Sequence, residues 1–419
     1  MARVRINVEN TLIYTLGLTS TWQLISVGGL NLFTVIILLF VAYEILRKKR
    51  IILTKTITLL GISILVSLMG NLLLDSAYLK NIAAWKSACL NSSIVFLLIL
   101  LVYGFIQSMN NEKISIFFQG VFYSCCIQVA WAYMQLIYHF LLKGNLNEMV
   151  FVRLLKMWNT IEVYNVNSQF TLTGLNLNSG VMTPILLLVF FMCKKKMTKF
   201  AVIILFFMTG NTTTLIAGIL LIGSHFCRLL LFNGWLKKNI VWEIIVIVLL
   251  SVLVLIWQPG IAQRIMQAIN TLIGKLSSIK TYQWTEGSTF VHFRYYQSLP
   301  FIISHIGLLR IFIGFGFRCG GMPFVVYYNQ YPDIVYSTES DIISTLYGLG
   351  MVGMIVFYSI LFRIIKKGYR TDRNYAIFEA IILIAGIFYS QQMNWLILVE
   401  LLLLEMIRRK IDFQELISH

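Results

Sequence analysis

The sequence predicts an all-α integral membrane protein with about twelve transmembrane helices. Of its 419 residues, 58% are hydrophobic and only 12% are charged, and the mean hydropathy is +0.80. A soluble domain of this composition lacks the polar side chains that cover a water-facing surface. Apolar runs of about 20 residues are typical of helices that cross a bilayer.

The apolar runs predict the spans in order along the chain. They are residues 7–21, 25–46, 52–73, 84–107, 115–142, 177–193, 198–209, 211–233, 240–258, 343–365, 375–391 and 393–408. Only Gly210 and Asn211 separate the seventh run from the eighth, which predicts a tight hairpin or one broken helix there.

Lys and Arg predict the orientation, because positive side chains concentrate in cytoplasmic loops. Twelve spans place every basic cluster on one side: Arg3 and Arg5, 47–50, 194–196, Lys237 and Lys238, 363–373, and 408–410. Both termini are then cytoplasmic, and two long segments, 143–176 and 259–342, lie outside. The net charge of +17 follows from these clusters and does not indicate nucleic-acid binding.

The same pattern divides the chain into three parts. Residues 1–258 form an N-terminal membrane bundle, 259–342 an outer loop, and 343–419 the last spans with a cytoplasmic tail. In the loop, apolar residues recur at helical spacing over 261–276, which predicts an amphipathic helix in the membrane interface. A second helical stretch, 289–306, contains Pro300, which kinks or divides it.

The second stretch contains Arg294, a permanent cation flanked by aromatic side chains and close to His292. A guanidinium presents a planar fork of donors that suits phosphate oxygens, and the faces of Tyr295 and Tyr296 suit sugar rings or lipid. The alternatives are an interfacial Arg whose head reaches water, or one paired with Glu286.

Arg318 follows a Gly-x-Gly turn formed by Gly314 and Gly316, which permits close approach of backbone to a ligand. The alternative is an ordinary loop at the edge of a span. In the other outer segment, Arg153 offers a further cation for a phosphate, or belongs to a solvated loop.

Glu339 precedes the tenth span and is the candidate general base toward a hydroxyl group. Asp333 and Asp341 lie nearby, and three carboxylates in nine residues also suit a divalent cation, although the spacing matches no known metal loop. The third possibility is a helix N-cap, since Ser337, Thr338 and Asp341 suit the positive end of a helix.

Two other observations concern the apolar spans. Of six cysteines only Cys319 lies in the long outer loop, so the sequence offers no disulfide framework there. Glu400 lies deep in the last predicted span, where a carboxylate is a functional candidate or is paired with Asn394, Gln391 or Gln392.

The order of these features resembles the bacterial O-antigen polymerase and ligase superfamily, and its polymerase (Wzy-type) branch most closely. In that superfamily a His or an acidic residue opens the span after the loop, with glycines eleven and fourteen positions later. Glu339, Gly350 and Gly353 have this spacing. The family Arg that precedes a Gly-x-Gly turn is matched by Arg294. Ligases characteristically have His where this chain has Glu339, which favours the polymerase branch.

The chain departs from the family at the turn between the seventh and eighth spans. The family often has Ser-Arg after Thr-Gly, whereas here Thr209-Gly210 continues as 211–213 with no Arg. A second phosphate-binding cation must therefore come from elsewhere or be absent, and Arg318 and Arg153 are the candidates.

The resemblance implies a fold like the family C glycosyltransferases (GT-C) and an inverting polymerase at the periplasmic face of the inner membrane. Donor and acceptor are undecaprenyl-diphosphate-linked oligosaccharides, and no metal or other cofactor is implied. Whether a chain-length regulator binds is left open. The implied catalytic residues are Glu339 and Arg294; the implied substrate-binding residues are His292, Tyr295, Tyr296, Gly314, Gly316, Arg318 and Arg153.

Three alternatives remain. The first is an O-antigen ligase of the same superfamily, and the second is a flippase for the lipid-linked sugar with Glu400 and Glu379 as coupling groups. The third is a membrane subunit without catalytic activity. Substitutions in the outer loop abolish function in an enzyme, whereas substitutions at Glu400 do so in a transporter.

Overall fold

The computed structural model describes residues 7–27, 30–74, 81–158, 171–233, 295–296, 299–328, 335, 337–391 and 394–417. This part of the chain is mostly helical, with a single two-stranded hairpin, β1 (Ser26–Val27) and β2 (Leu30–Asn31). The predicted ninth span and the predicted amphipathic helix at 261–276 lie outside the described residues.

The helices follow the predicted apolar runs closely. They are α1 (Val8–Thr19), α2 (Leu32–Leu46), α3 (Lys55–Leu72), α4 (Ile82–Gln107), α5 (Asn111–Leu142), α6 (Met182–Met192), α7 (Lys196–Met208), α8 (Thr212–Asn233), α9 (Leu299–His305), α10 (Leu308–Ile313), α11 (Met322–Tyr328), α12 (Asp341–Thr371), α13 (Arg373–Phe388) and α14 (Asn394–Arg408). Short π and 3-10 turns lie at Glu148–Leu154, Ser179–Val181 and Phe413–Glu415.

Four of these helices are long and apolar enough to cross a membrane: α3, α4, α5 and α12. Shorter apolar helices occur at Leu32–Leu46, Ser179–Met192 and Thr213–His225. The chain is therefore described as a helical membrane protein, and the full count of twelve spans stays a prediction. The second predicted span is shorter than expected, because the hairpin of β1 and β2 occupies its first residues.

The seventh and eighth runs form a tight hairpin and not one broken helix. Gly210 adopts a positive φ of 70° between α7 and α8, which turns the chain. The two helices then pack on each other, since a Cβ at Gly218 would lie 2.7 Å from Cβ of Phe206.

Basic residues from several helices meet at one end of the described bundle. Glu9 of α1 binds Lys113 at the start of α5 and Arg47 just after α2, the latter at 2.7 Å. Arg409, just after α14, donates to the Gln107 carbonyl at the end of α4 at 3.0 Å. We call this the basic end; that it faces the cytoplasm is an expectation from the charge rule.

Candidate functional site

The Gly-x-Gly turn packs against a break in α12, so two predicted motifs meet in space. The amide of Phe315 donates to the Tyr347 carbonyl at 2.7 Å, and the amide of Gly316 donates to the Gly348 carbonyl at 2.9 Å. The turn was expected to bring backbone close to a ligand. Instead, it brings backbone close to the backbone of α12.

Glycine is required on both sides of this contact. Gly314 has φ 78° and ψ −174°, and Gly350 has φ 72° and ψ 176°, a region of conformational space that is essentially restricted to glycine. A Cβ on Gly314 would lie 2.3 Å from the Gly348 carbonyl oxygen, and one on Gly350 would lie 2.2 Å from that of Phe312. Neither position has room for a side chain.

The break at Gly350 folds the first part of α12 back along the second part. Thr345 and Phe357 line the same small cavity. In an uninterrupted helix these two residues would be about 18 Å apart along the axis. Residues 341–349 therefore run beside the helix that continues from 351, and Asp341 lies inside the bundle against Gly386 of α13.

Polar side chains of α3 hold the turn and the break together. Ser67 Oγ donates to the Gly348 carbonyl at 2.8 Å, and Asn71 Nδ2 donates to the Phe315 carbonyl at 2.5 Å. Sequence reasoning missed both residues. Their signal was a polar residue at every fourth position of an apolar span, Ser63, Ser67 and Asn71, which marks one face of a helix.

Beside this contact lies a cavity of about 30 Å³, the space of roughly one water molecule. Cationic, anionic and hydroxyl groups meet there. Its lining residues are Phe317, Arg318, Ser337, Asp341, Ser344, Thr345, Leu349, Phe357, Ser390 and Ile397. The predicted cation Arg318 and the carboxylate Asp341 thus line one cavity.

Asp341 is buried, and its carboxylate holds the turn between α13 and α14. Oδ1 accepts from the Ser390 hydroxyl at 2.7 Å, and Oδ2 accepts from the Gln391 amide at 2.8 Å. Hydrogen bonds to an ionised carboxylate are stronger than those between neutral groups. Asp341 therefore fixes the position of the α13–α14 turn relative to α12.

Arg318 occupies a strained backbone position, with φ at 65° in the left-handed region. Its guanidinium lies 5.8 Å from the ring centre of Phe317 and donates to Asn394 Oδ1 at 3.5 Å. Burial lowers the pKa of Arg318, and the charge of Asp341 opposes that shift. The side chain stays protonated at neutral pH, because arginine begins from a very high pKa.

Glu339 lies in the short segment that leads into α12, two residues before Asp341, and it is not among the residues that line the cavity. Tyr296 braces this segment: its hydroxyl contacts Ser340 Oγ at 2.5 Å and donates to the Ile387 carbonyl at 2.8 Å. The N-cap residue of α12 is Ser340, whose side chain makes no capping bond. Glu339 is half-buried and is not itself the cap.

The remaining predicted binding residues differ in their surroundings. Arg294 and His292 lie outside the described residues. Tyr295 is 2% exposed and packs edge-on against Phe324, with ring centres 4.7 Å apart, so its face is not open to a sugar. Arg153 pairs with Glu148 at 2.7 Å on an exposed π-helical turn and does not line the cavity with Arg318.

Glu379 and Glu400, the coupling groups of the flippase alternative, are both buried in the last helices. Glu379 of α13 is fully buried, and neither of its oxygens has a hydrogen-bond partner within the described part of the chain. Glu400 of α14 is 1% exposed. Neither lines the cavity that contains Arg318 and Asp341.

A larger cavity, of about 610 Å³, opens at the basic end between α6, α7, α8, α13 and the C-terminal segment. Lys194, Lys199 and Arg373 line it together with Asp412 and Glu415. None of the residues predicted for glycosyl transfer lies there.

A search of protein-family models finds no match to this chain, and a search of curated proteins finds none either.

Proposed function

We propose that this protein is a polysaccharide polymerase that joins polyprenyl-diphosphate-linked oligosaccharides by glycosyl transfer. The observation that supports this proposal most is the contact between residues 314–316 and 348–350. It brings together the two glycine motifs on which the family resemblance rests. It also places Arg318, which follows the first motif, beside Asp341 at the start of α12.

The chemistry requires a base and a cation on opposite sides of the anomeric carbon. An acceptor hydroxyl oxygen forms the new bond to this carbon while the bond from the carbon to the diphosphate oxygen breaks. The hydroxyl proton passes to the base, for which we propose Glu339. Negative charge grows on the leaving diphosphate, and fixed cations stabilise it.

Arg294 and Arg318 are the proposed cations. A guanidinium remains charged even where burial disfavours it, and its donors match the oxygens of a diphosphate. Attack from the face opposite the leaving group inverts the configuration at the anomeric carbon. The donor needs no nucleotide-binding motif, since its activating group is the lipid diphosphate.

The cavity beside Arg318 holds about one water molecule, so a diphosphate needs more room than these side chains leave. We therefore propose that substrate binding shifts residues 337–340, which precede α12. The hydrogen bond between Tyr296 and Ser340 is the contact that such a shift breaks.

The test is turnover of synthetic lipid-linked repeat units by the purified protein, with products read by mass. Arg318→Ala should reduce polymer formation about 10²–10³-fold, the usual effect of removing one group that stabilises transition-state charge. The matched control is Arg363→Ala, because Arg363 is an exposed arginine of α12 that donates to Thr56 and does not line the cavity. Normal turnover by Arg318→Ala would remove this residue from the mechanism.

A flippase for the lipid-linked sugar is the second candidate, and the buried carboxylate of Glu379 favours it. The test is vesicle transport of a fluorescent lipid-linked sugar by Glu379→Gln and Glu400→Gln variants. In a flippase these changes abolish transport while outer-loop substitutions are tolerated. In a polymerase they leave glycan chain length unchanged.

A further inference from the structure

Two cysteines that are distant in sequence are neighbours in the structure. Cys319 Sγ lies 3.6 Å from the carbonyl oxygen of Trp85, which is one helical turn before Cys89 on α4. Gly316, whose carbonyl accepts from the Cys319 amide at 2.9 Å, lies directly against the sulfur of Cys89. From the sequence, Cys319 is expected to be an isolated cysteine in the outer loop. In the structure it has a neighbouring cysteine, because Cys89 comes from a transmembrane helix.

The surroundings keep the two thiols together. Both cysteines are fully buried, with 0% of each residue accessible. They lie in one apolar cluster with Phe315 and Tyr347. Gly316 covers Cys89 so closely that a Cβ there would lie 2.4 Å from the sulfur. The hydroxyl of Ser93 also lies near the Cys89 sulfur, at 3.9 Å.

The pair lies far from the basic end of the bundle. Cys89 is 18 residues from Gln107, where Arg409 binds the end of α4, and 18 helical residues span about 27 Å. If the basic end is cytoplasmic, the cysteines lie toward the outer face, where disulfides form and persist. The outward position of the pair thus depends on the same orientation of the bundle as the proposed function.

We propose that Cys89 and Cys319 form a disulfide that fixes the turn at 314–321 to α4. An external protein disulfide supplies the oxidant. One cysteine forms a mixed disulfide with it, and the thiolate of the other attacks that bond and releases the second external sulfur. Two protein thiols thus become one disulfide, and the external disulfide is reduced to a dithiol. The reaction takes place before the turn closes over α4, while both sulfurs are accessible.

The cross-link acts directly next to the candidate site. Arg318 precedes Cys319 in the chain and has the strained φ of 65°. A covalent tie at the following residue limits the movements by which this backbone relaxes. The disulfide thereby holds Arg318 at the cavity that it shares with Asp341.

The experiment counts free thiols. Protein is purified from membranes without reductant, denatured, labelled with N-ethylmaleimide and weighed intact. The chain has six cysteines, so the proposal predicts four labels before reduction and six after it. Six labels before reduction would overturn the proposal.

Two variants identify the pair. Cys89→Ser should accept five labels both before and after reduction, because Cys319 then has no partner. Cys125→Ser, a change at a buried cysteine of α5, should accept three before reduction and five after it. Three labels before reduction in Cys89→Ser would assign the disulfide to other cysteines and overturn the pairing.

The outcome is independent of the polymerase assay. Four labels on a protein that makes no polymer leave the disulfide in place and reject the proposed function. Six labels on an active polymerase reject the disulfide alone.

Discussion

Arg318 and Asp341 show at the scale of single residues how the fold concentrates polar chemistry inside an apolar bundle. Arg318 follows the glycine turn and Asp341 is the first residue of α12, yet both line one cavity. Sequence reasoning identified Arg318 as a candidate cation and placed the base at Glu339. It gave Asp341 a minor role, whereas the structure uses this carboxylate to hold the α13–α14 turn.

The first prediction concerns Arg294, one of the two cations proposed to stabilise the leaving diphosphate. Arg294→Ala should abolish polymer while the protein remains at near-normal abundance in the membrane. Arg294→Lys should also be impaired, because a point charge does not reproduce the planar fork of donors. Surface polysaccharide on a gel is the measurement. Full-length polymer in Arg294→Ala cells would exclude this residue from the mechanism.

The second prediction concerns Glu339. If Glu339 is the base, Glu339→Gln keeps the size of the side chain but leaves it unable to accept the proton of the acceptor hydroxyl. Turnover should then fall about 10²–10⁴-fold. If it only supports the start of α12, the change should cost at most about 1 kcal/mol of local stability, and polymer should persist. Glu339→Asp retains the charge but withdraws it by one methylene, so a base loses much activity.

The measurement is product mass from purified protein and synthetic lipid-linked units. Glu148→Gln serves as a control, since Glu148 is a glutamate on an exposed turn and does not line the cavity. Near wild-type turnover by Glu339→Gln would reject Glu339 as the base, and His292 or Asp341 would be tested next.

At the scale of elements, the break in α12 is the feature that sequence patterning did not reveal. The apolar run at 343–365 predicted one straight span, because a single glycine inside such a run is compatible with a helix. What bends the chain at Gly350 is the turn at 314–316, more than thirty residues earlier. A contact between distant segments leaves no periodic signal in either of them.

Helix positions were easier to predict than helix interruptions. The run at 84–107 corresponds to Ile82–Gln107, and the run at 52–73 to Lys55–Leu72. Hydropathy determines where a helix can reside in a bilayer, and this depends on local composition alone. The polar bonds of Ser67 and Asn71 to the turn depend on tertiary packing, so neither residue was identified.

The third prediction tests the break itself. Gly350→Ala places a side chain in a glycine-only conformation and against the Phe312 carbonyl, and such strain costs roughly 1–3 kcal/mol. The thermal midpoint in detergent should fall. The control is Gly223→Ala in α8, where a Cβ meets nothing within 4 Å, and alanine there should be neutral or gain about 0.5–1 kcal/mol. Equal midpoints for the two variants would contradict the assigned break.

At the scale of the whole molecule, basic residues of the described helices lie at one end of the bundle. The candidate cavity lies away from that end. Glu9, Arg47 and Lys113 mark one part of the basic end, and Arg409 with Gln107 marks another. The charge pattern predicted that these clusters share a side, and their contacts agree with it. Which compartment that side faces is a separate question that reporters can answer.

The fourth prediction is the topology. With twelve spans and both termini cytoplasmic, reporter fusions after residues 165 and 285 should read as periplasmic, and one after residue 368 as cytoplasmic. The physical reason is that every basic cluster then lies on the side that retains positive charge. A cytoplasmic signal at 285 would place the candidate site on the wrong face for periplasmic glycosyl transfer.

The break in α12 also determines how deep Asp341 lies in the bundle. Arg363, Lys366, Lys367 and Arg370 occupy the last turns of this helix and belong to its basic cluster. At 1.5 Å per residue, a straight helix would place Asp341 about 33 Å from Arg363, which exceeds a hydrocarbon core of about 30 Å and puts the carboxylate at the opposite surface of the bilayer. The chain reversal at Gly350 instead keeps Asp341 beside Gly386 of α13, inside the bundle, where it holds the α13–α14 turn.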